Sequence, residues 1–203
     1  MRNYFTKYLF FVFLTCIYFN SFSQPVFRWD VKTLTDQSGI DWVQQLQNAK
    51  QGPYATIEAL TTKPVQFTSC NNKSKNTRRN DEQRVVKLNV KLVQVKTESN
   101  DNDYHIVIQS LTNASHYMVA EIPDPATSVL QSSKYIDIRD RFTRLRQKIG
   151  TLLQKNPTSK FKDFPDNTIV TIYGVPYWDC KHPGNVSGAS KDFREVHPVL
   201  EIE

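Results

Sequence analysis

The chain has 203 residues, of which 39 % are hydrophobic and 23 % are charged, with a formal net charge of +6. This composition is typical of a globular protein and excludes a largely disordered chain. Its single long apolar run excludes a membrane protein with several spans. We expect one domain with a short appendage.

Residues 1–23 have the pattern of a secretory signal peptide. Arg2 and Lys7 supply its basic start, and the apolar stretch 8–19 is too short for a stable membrane-spanning helix. An uncleaved anchor and a lipidated Cys16 are the alternatives. After cleavage the chain carries 24 basic and 20 acidic residues, a net charge of +4 that permits contact with polyanions without requiring it. We expect a secreted or periplasmic bacterial protein.

Two cysteines, Cys70 and Cys180, remain after cleavage. In an exported protein they are expected to pair as a disulfide, closing a loop of about 110 residues and stabilising the fold by about 4–5 kcal/mol in the chain-entropy model. The alternative is two unpaired thiols, because sequence spacing does not establish proximity. Two reactive thiols in the folded protein would exclude the disulfide.

Residues 24–82 form an N-terminal segment that ends in a polar linker. Apolar residues around Val43 recur at helical spacing, and they predict a helix that Asp36 or Ser38 caps and that Gly52 ends. The linker carries several basic side chains. These side chains would either contact a polyanion or belong to a solvated loop that has no binding role.

Residues 83–203 form the core domain. Apolar residues alternate through 86–95, which predicts a strand, and the shift in their parity after Leu92 indicates a β-bulge. Further strands are predicted at 104–108, 117–122, 168–175 and 196–202, with an amphipathic helix at 138–152. The predicted order is three strands, a helix and two strands, and the first strand is long and bent. This order is typical of a mainly β fold with one core helix, the five-stranded OB-like barrel. An antiparallel α+β sandwich is the alternative.

The side chains that could bind a metal or transfer a proton lie at the ends of the predicted strands. Glu195 and His197 are two residues apart and therefore share a face of an extended segment. Histidines and acids in such a set suit a divalent metal, or a general base with an electrostatic partner. The candidate catalytic residues are His105, Glu121 and Glu195, and the candidate metal ligands are His182 and His197. The alternative is that these side chains form hydrogen bonds that hold the strand ends.

Aromatic and basic side chains provide a second candidate surface. Tyr177 and Trp178 follow the fourth main strand and are candidates for stacking on a ligand. The predicted helix places Arg141, Arg144 and Lys148 on its polar faces, where they would contact phosphate groups. A nucleic acid or an acidic glycan is the partner this surface suits. Ordinary core packing of the aromatic rings is the alternative.

The segments DYHIVI (103–108), AEIPDP (120–125) and EVHPVL (195–200) resemble motifs of a family of uncharacterised exported bacterial proteins. That family carries DYHLVL-like, AEIPDP-like and ELHPVL-like segments, and the resemblance covers about residues 83–203. It implies export but no activity. Pro183 follows His182 where the relatives continue with glycine. In strand order the chain is also similar to staphylococcal-type nucleases, although their arginine and carboxylate signature is not matched.

Three functional hypotheses follow. The first is an exported OB-like module that binds a polyanion, a nucleic acid or a glycan. The second is a metal-assisted hydrolase, such as a phosphodiesterase or nuclease, that uses the histidine and glutamate cluster with a divalent metal as cofactor. The third is a structural or interaction protein of the cell envelope. The discriminating observation is whether the polar groups meet beside one cavity.

Overall fold

The structure, a computed structural model, describes residues 28–36, 41–62, 78–180 and 187–203. Within these residues the strands are β1 (Val86–Thr97), β2 (Tyr104–Ser110), β3 (Tyr117–Ile122), β4 (Lys162–Asp163), β5 (Ile169–Trp178) and β6 (Arg194–Ile202). The α-helices are α1 (Trp29–Lys32), α2 (Trp42–Gln51), α3 (Ile57–Leu60) and α4 (Ile136–Leu153).

Five strands close into a barrel in the order β1–β2–β3–β6–β5, with β5 pairing back to β1. The β3–β6 pair is parallel, whereas the other pairs of the barrel are antiparallel. This closed mixed sheet with one core helix confirms the predicted OB-like barrel and excludes the sandwich. The two-residue β4 pairs with β1 and was not predicted.

The long strand β1 belongs to both sides of the barrel. Its first half pairs with β5 and its second half with β2. The register with β2 shifts between Leu92 and Gln94, which confirms the predicted bulge. A bulge bends the strand and increases its twist, so one strand can close the sheet on itself.

The helix α4 packs against β3 and β6. Its buried residues recur at intervals of three and four, as the sequence predicts, and they join the hydrophobic core of the barrel. These residues are Ile138, Phe142, Leu145, Ile149 and Leu153.

The helix α2 begins with a cap that differs from the predicted one. The side chain of Asp41 accepts a hydrogen bond from the backbone N–H of Gln44 at 3.0 Å, and Gly52 ends the helix as predicted. Asp36 instead accepts a hydrogen bond from the buried guanidinium of Arg78 at 2.7 Å. Ser38, the other predicted cap, lies outside the described residues.

Buried ion pairs hold α1 against the barrel. The Arg28 guanidinium binds both carboxylate oxygens of Glu82, and the same carboxylate accepts the backbone N–H of Trp178 in β5 at 2.9 Å. Arg78 donates to the carbonyl of Val31 at 2.9 Å. These contacts fix the position of Lys32, the last residue of α1.

None of the helices in the described ranges is long and apolar enough to cross a membrane. The predicted signal peptide and Cys70 lie outside the described residues, so export and the disulfide stay predictions. Cys180 is fully buried.

Gly174 lies where β5 pairs with β6 too closely for a side chain. A Cβ atom there would clash with the Val196 side chain and would lie 2.7 Å from the carbonyl oxygen of Pro198. We therefore expect Gly174→Ala to lower the free energy of unfolding by about 1–3 kcal/mol in urea titrations. Gly150→Ala, within α4, is the control and should leave stability unchanged or raise it. Equal stability of the Gly174→Ala variant and the wild-type protein would contradict this packing.

Candidate functional site

The candidate site lies on the outer face of β2, β3 and β6. Ile106, Ala120 and Val196 belong to the hydrophobic core of the barrel, so the side chains next to them in each strand face outward. Those neighbours include His105, Glu121 and Glu195. They are nevertheless buried, because α1 and residues 187–193 cover this face.

Strand register brings four of the predicted residues together. His105 lies directly opposite Glu121 in the β2–β3 pair, and their Nδ1 and Oε1 atoms are 3.1 Å apart. The parallel pairing of Val119 with Glu195 places His197 beside Glu121, with 2.9 Å between Nδ1 and Oε2. His197 Nδ1 also lies 3.1 Å from Glu195 Oε1. The structure therefore shows the expected convergence, whereas the roles of these residues stay predictions.

Two further carboxylates complete this group. Glu98 Oε1 lies 3.2 Å from His105 Nδ1, and Asp103 Oδ2 lies 3.3 Å from His197 Nε2. We call the six residues Glu98, Asp103, His105, Glu121, Glu195 and His197 the acid–imidazole cluster. Sequence reasoning missed Glu98, although the β1–β2 hairpin, which pairs Lys96 with His105, would have pointed to it.

Lys32 adds a buried cation to the cluster. Its Nζ lies 3.9 Å from Glu121 Oε2, and its side chain is 8 % exposed. Sequence reasoning missed this residue, because a four-residue helix carries no periodic signal and lies far from the strands along the chain.

A cavity of about 490 Å³ opens against the cluster. We call it the face cavity. The carboxylates that line it are those of Glu98, Asp101, Glu121, Asp179 and Glu195. The basic groups that line it with His105 are Lys32, Lys96 and Arg194. Carboxylates predominate, so the face cavity favours a cation over a polyanion at its base.

Proximity to acids controls the charge of both imidazoles. Burial by itself lowers the pKa of His105, but hydrogen bonds to Glu121 and Glu98 outweigh it and raise that pKa to about 10. Burial and Lys32 lower the pKa of His197, whereas Glu121 and Asp103 raise it well above its ordinary value. Burial raises the pKa of Glu121, but Lys32 and His197 hold it well below its usual range. The cluster therefore combines carboxylates with protonated imidazoles.

Other carboxyl groups on the cavity wall are harder to ionise. Burial, followed by repulsion from Glu121 and Asp179, raises the pKa of Glu195 to about 7. Burial and the charge of Asp103 raise the pKa of Asp101 to about 6. A carboxyl group with a pKa near neutrality suits proton transfer at physiological pH.

We expect Glu195→Gln to stabilise the protein at pH 8 in buffer that contains a chelator. The folded state holds the Glu195 proton up to a pH of about 7, whereas the unfolded chain releases it near 4.5. This carboxyl group therefore lowers stability as the pH rises through that interval, and a neutral amide does not. Urea unfolding at pH 8 and pH 4.5 measures the effect. A variant less stable than wild type at pH 8 would contradict it.

The structure contradicts the prediction that Tyr177 and Trp178 stack on a ligand. The side chains of Tyr177 and Trp178 are buried, at 0 % and 1 % exposure, so they are not accessible for stacking on a ligand. The Tyr177 ring packs 5.6 Å from the ring of His197, and Trp178 donates its indole N–H to Asp81 at 2.9 Å. The rings are buried because α1 and its anchoring residues cover this part of β5.

The phosphate-binding role of the basic face of α4 stays a prediction, and two of its side chains contact the end of β6. Arg141 donates to the carbonyl of Leu200 at 3.0 Å, and Lys148 donates to the carbonyl of Ile202 at 2.7 Å. Both side chains therefore join α4 to the end of β6. Arg144 is exposed on α4 and does not line the face cavity.

Two other histidines do not belong to the cluster as described. His182 lies outside the described residues, so its proposed role as a metal ligand stays a prediction. His116 is half exposed and contacts Glu58 at 3.2 Å.

Two sets of three donors have the spacing of a metal site. In each set the ligand atoms lie within 4.8 Å of one another. One set is Glu98, His105 and Glu121, and the other is Asp103, Glu121 and His197. Imidazole nitrogen and carboxylate oxygen bind divalent cations such as Zn²⁺ at about 2.0–2.2 Å. In the first set both carboxylates face Nδ1 of His105, whereas in the second set Glu121 faces Nδ1 of His197 and Asp103 faces Nε2.

Comparison with models of protein families, with curated proteins and with solved structures gives no match. The fold and the acid–imidazole cluster are therefore the basis for any statement about function.

Proposed function

We propose that the protein is an exported, metal-assisted hydrolase of phosphate esters that acts in the face cavity. The observation that carries the proposal is the donor set of Glu98, His105 and Glu121, which lines this cavity with its ligand atoms within 4.8 Å of one another. Export is supported by the sequence pattern of residues 1–23. We propose the Cys70–Cys180 disulfide on the same basis.

The hydrogen bonding of His105 suits a metal ligand. Its Nε2 lies 3.1 Å from the carbonyl oxygen of Ser187, which can only accept a hydrogen bond, so Nε2 carries a proton. The Nδ1 atom then points between the carboxylates of Glu98 and Glu121, where a metal ion would take the place of its proton. A backbone carbonyl that orients an imidazole in this way is typical of metal-binding histidines.

Lys96 is the cation of the same cavity that suits a phosphate ester, because Lys32 and Arg194 are buried and paired with Glu121 and Asp81. All three cations line the wall of the cavity. Lys96 lies 2.8 Å from Glu98. When Glu98 binds a metal, the Lys96 ammonium becomes available to a phosphate oxygen. Positive groups beside a metal stabilise the charge that develops on a phosphoryl group in the transition state.

Glu195 is the candidate general base, because it lines the cavity and its pKa is raised to about 7. In the proposed reaction, a water molecule transfers a proton to Glu195 while its oxygen forms the new bond to phosphorus. The ester P–O bond breaks, and the leaving oxygen takes a proton from solvent.

The test is hydrolysis of bis(p-nitrophenyl) phosphate by the chain without its signal peptide. After treatment with a chelator, we expect no activity. Addition of Mn²⁺, Mg²⁺ or Zn²⁺ should restore activity with at least one of these ions. Absence of hydrolysis with all three, together with absence of metal binding, would exclude the proposal.

A non-catalytic binding module is the second candidate. The observation that favours it is the position of the face cavity on the outer side of β2 and β3, the surface that OB-like barrels use for oligonucleotides and oligosaccharides. Fluorescence titration with single-stranded DNA and with an acidic glycan at low salt tests it. Binding without hydrolysis supports this candidate, and a steep loss of affinity with salt indicates a polyanion.

A further inference from the structure

Among the described residues, two phenylalanines line the face cavity. Phe161 directly precedes β4, and Phe193 directly precedes β6. Both side chains are half-buried, whereas Phe142 and Phe164, which belong to the hydrophobic core, are 0 % and 6 % exposed. The two rings therefore give a ligand in the cavity an aromatic surface to contact.

The backbone of Phe193 is strained. Its φ of 56° lies in the left-handed region, which a residue with a bulky side chain rarely adopts. The Phe193 N–H donates to the carbonyl of Ser190 at 3.1 Å, and the Phe193 carbonyl accepts the N–H of Asp179 at 3.0 Å. Asparagine or glycine would occupy this position at lower cost. A strained phenylalanine on the wall of a cavity indicates that its ring has a role in binding.

Phe161 lies beside the groups that would bind the metal and the phosphate. Its ring centroid is 5.7 Å from that of His105, and the two ring planes meet at 71°. The Lys96 ammonium lies 5.0 Å from the centroid of the same ring and 2.8 Å from the Glu98 carboxylate. Because Phe161 contacts both His105 and Lys96, the group esterified to a phosphate held there would lie against its ring.

The size and polarity of the cavity suit a nucleobase better than a plain aryl group. Asn100 and Asp101 line the cavity with the two rings. A side-chain amide can both donate to and accept from the edge of a base, and a carboxylate can accept from it. The volume of about 490 Å³ lies within the range of about 300–1,000 Å³ that is usual for small-molecule sites.

We propose that the substrate of the face cavity is a nucleotide phosphodiester and that Phe161 and Phe193 determine this specificity by contacting the nucleobase. The specificity rests on the proposed function, because the metal that Glu98, His105 and Glu121 would hold binds the phosphate. Stacking of a base on an aromatic side chain changes affinity by about 10-fold. Neither ring makes or breaks a bond, so the two rings should affect nucleotide esters and not smaller esters.

The test compares two diesters with the same leaving group, the p-nitrophenyl ester of thymidine 5′-monophosphate and methyl p-nitrophenyl phosphate. In the metal-loaded chain without its signal peptide, we expect kcat/KM to be higher for the thymidine ester by about 10-fold or more. Phe161→Leu should lower that ratio by about 10-fold, whereas Phe161→Tyr, which retains a ring, should preserve it. Tyr54→Leu, at an exposed residue that does not line the face cavity, is the control and should leave the ratio unchanged.

Phe193→Asn separates a role in binding from a role in packing. Asparagine tolerates the left-handed backbone, so we expect the free energy of unfolding to stay constant or rise. The ratio of kcat/KM values should nevertheless fall by about 10-fold, because the ring is lost. Lower stability with an unchanged ratio would show that the ring only packs, and it would overturn the role of Phe193.

The outcomes separate the nucleotide specificity from the proposed function. Equal kcat/KM values for the two esters in the wild-type chain would overturn the specificity and retain the hydrolase. If neither ester is hydrolysed, calorimetric titration with thymidine 5′-monophosphate decides. Binding would then retain the nucleotide site without the hydrolase, and absence of binding would overturn both. These wild-type measurements are decisive even when a variant fails to fold.

Discussion

Glu121→Gln is expected to reduce metal-dependent phosphodiester hydrolysis by about 100-fold or more, because even the outer partners of metal ligands affect activity by about 10–100-fold. Glu121 lies opposite His105, contacts His197 and lines the face cavity. An amide retains the shape of the side chain but loses the negative charge and one acceptor oxygen. Both donor sets would therefore lose their shared anionic ligand.

The measurement is kcat/KM for bis(p-nitrophenyl) phosphate at saturating metal, with near-ultraviolet circular dichroism to establish that the variant is folded. Glu201→Gln is the matched control. Glu201 is also a carboxylate paired with cations, Lys50 and Arg141, but it does not line the face cavity. A folded Glu121→Gln variant with wild-type kcat/KM would show that this carboxylate does not take part in the reaction.

Glu82→Ala is expected to lower the free energy of unfolding by about 3–5 kcal/mol, the usual cost of removing one partner of a buried ion pair. Glu82 is 0 % exposed, and its carboxylate binds the Arg28 guanidinium. It also accepts the backbone N–H groups of Trp178 and Arg79, at 2.9 and 2.7 Å. The substitution would remove an acceptor of the buried Arg28 guanidinium and of two backbone N–H groups.

Chemical denaturation at pH 7 measures this effect. Asp140→Ala, which removes an exposed carboxylate of α4, is the control and should change stability by less than about 0.5 kcal/mol. Replacing both partners, Arg28→Met with Glu82→Met, should recover part of the loss, because paired apolar groups need no counter-charge. A loss below about 1 kcal/mol in Glu82→Ala would mean that the pair does not anchor α1.

The strands and the core helix could be predicted because their signals are local. Alternating apolar residues indicate which face of a strand is buried, and the spacing of two residues placed Glu195 and His197 on the same face. The change of parity at Val93 indicated the bulge of β1. The cap of α2 was predicted wrongly, because Asp36 instead forms a buried ion pair with Arg78, which lies far from it along the chain.

The sequence by itself determined the order of the strands, the position of the core helix and the presence of histidines and acids at strand ends. Only the tertiary structure decided which of those groups meet, since the register of β2 with β3 and the parallel contact of β3 with β6 join segments distant along the chain. It also brought Lys32 to the site and buried Tyr177. Periodicity specifies the face of an element but not its neighbours, and the chemistry of this site depends on the neighbours.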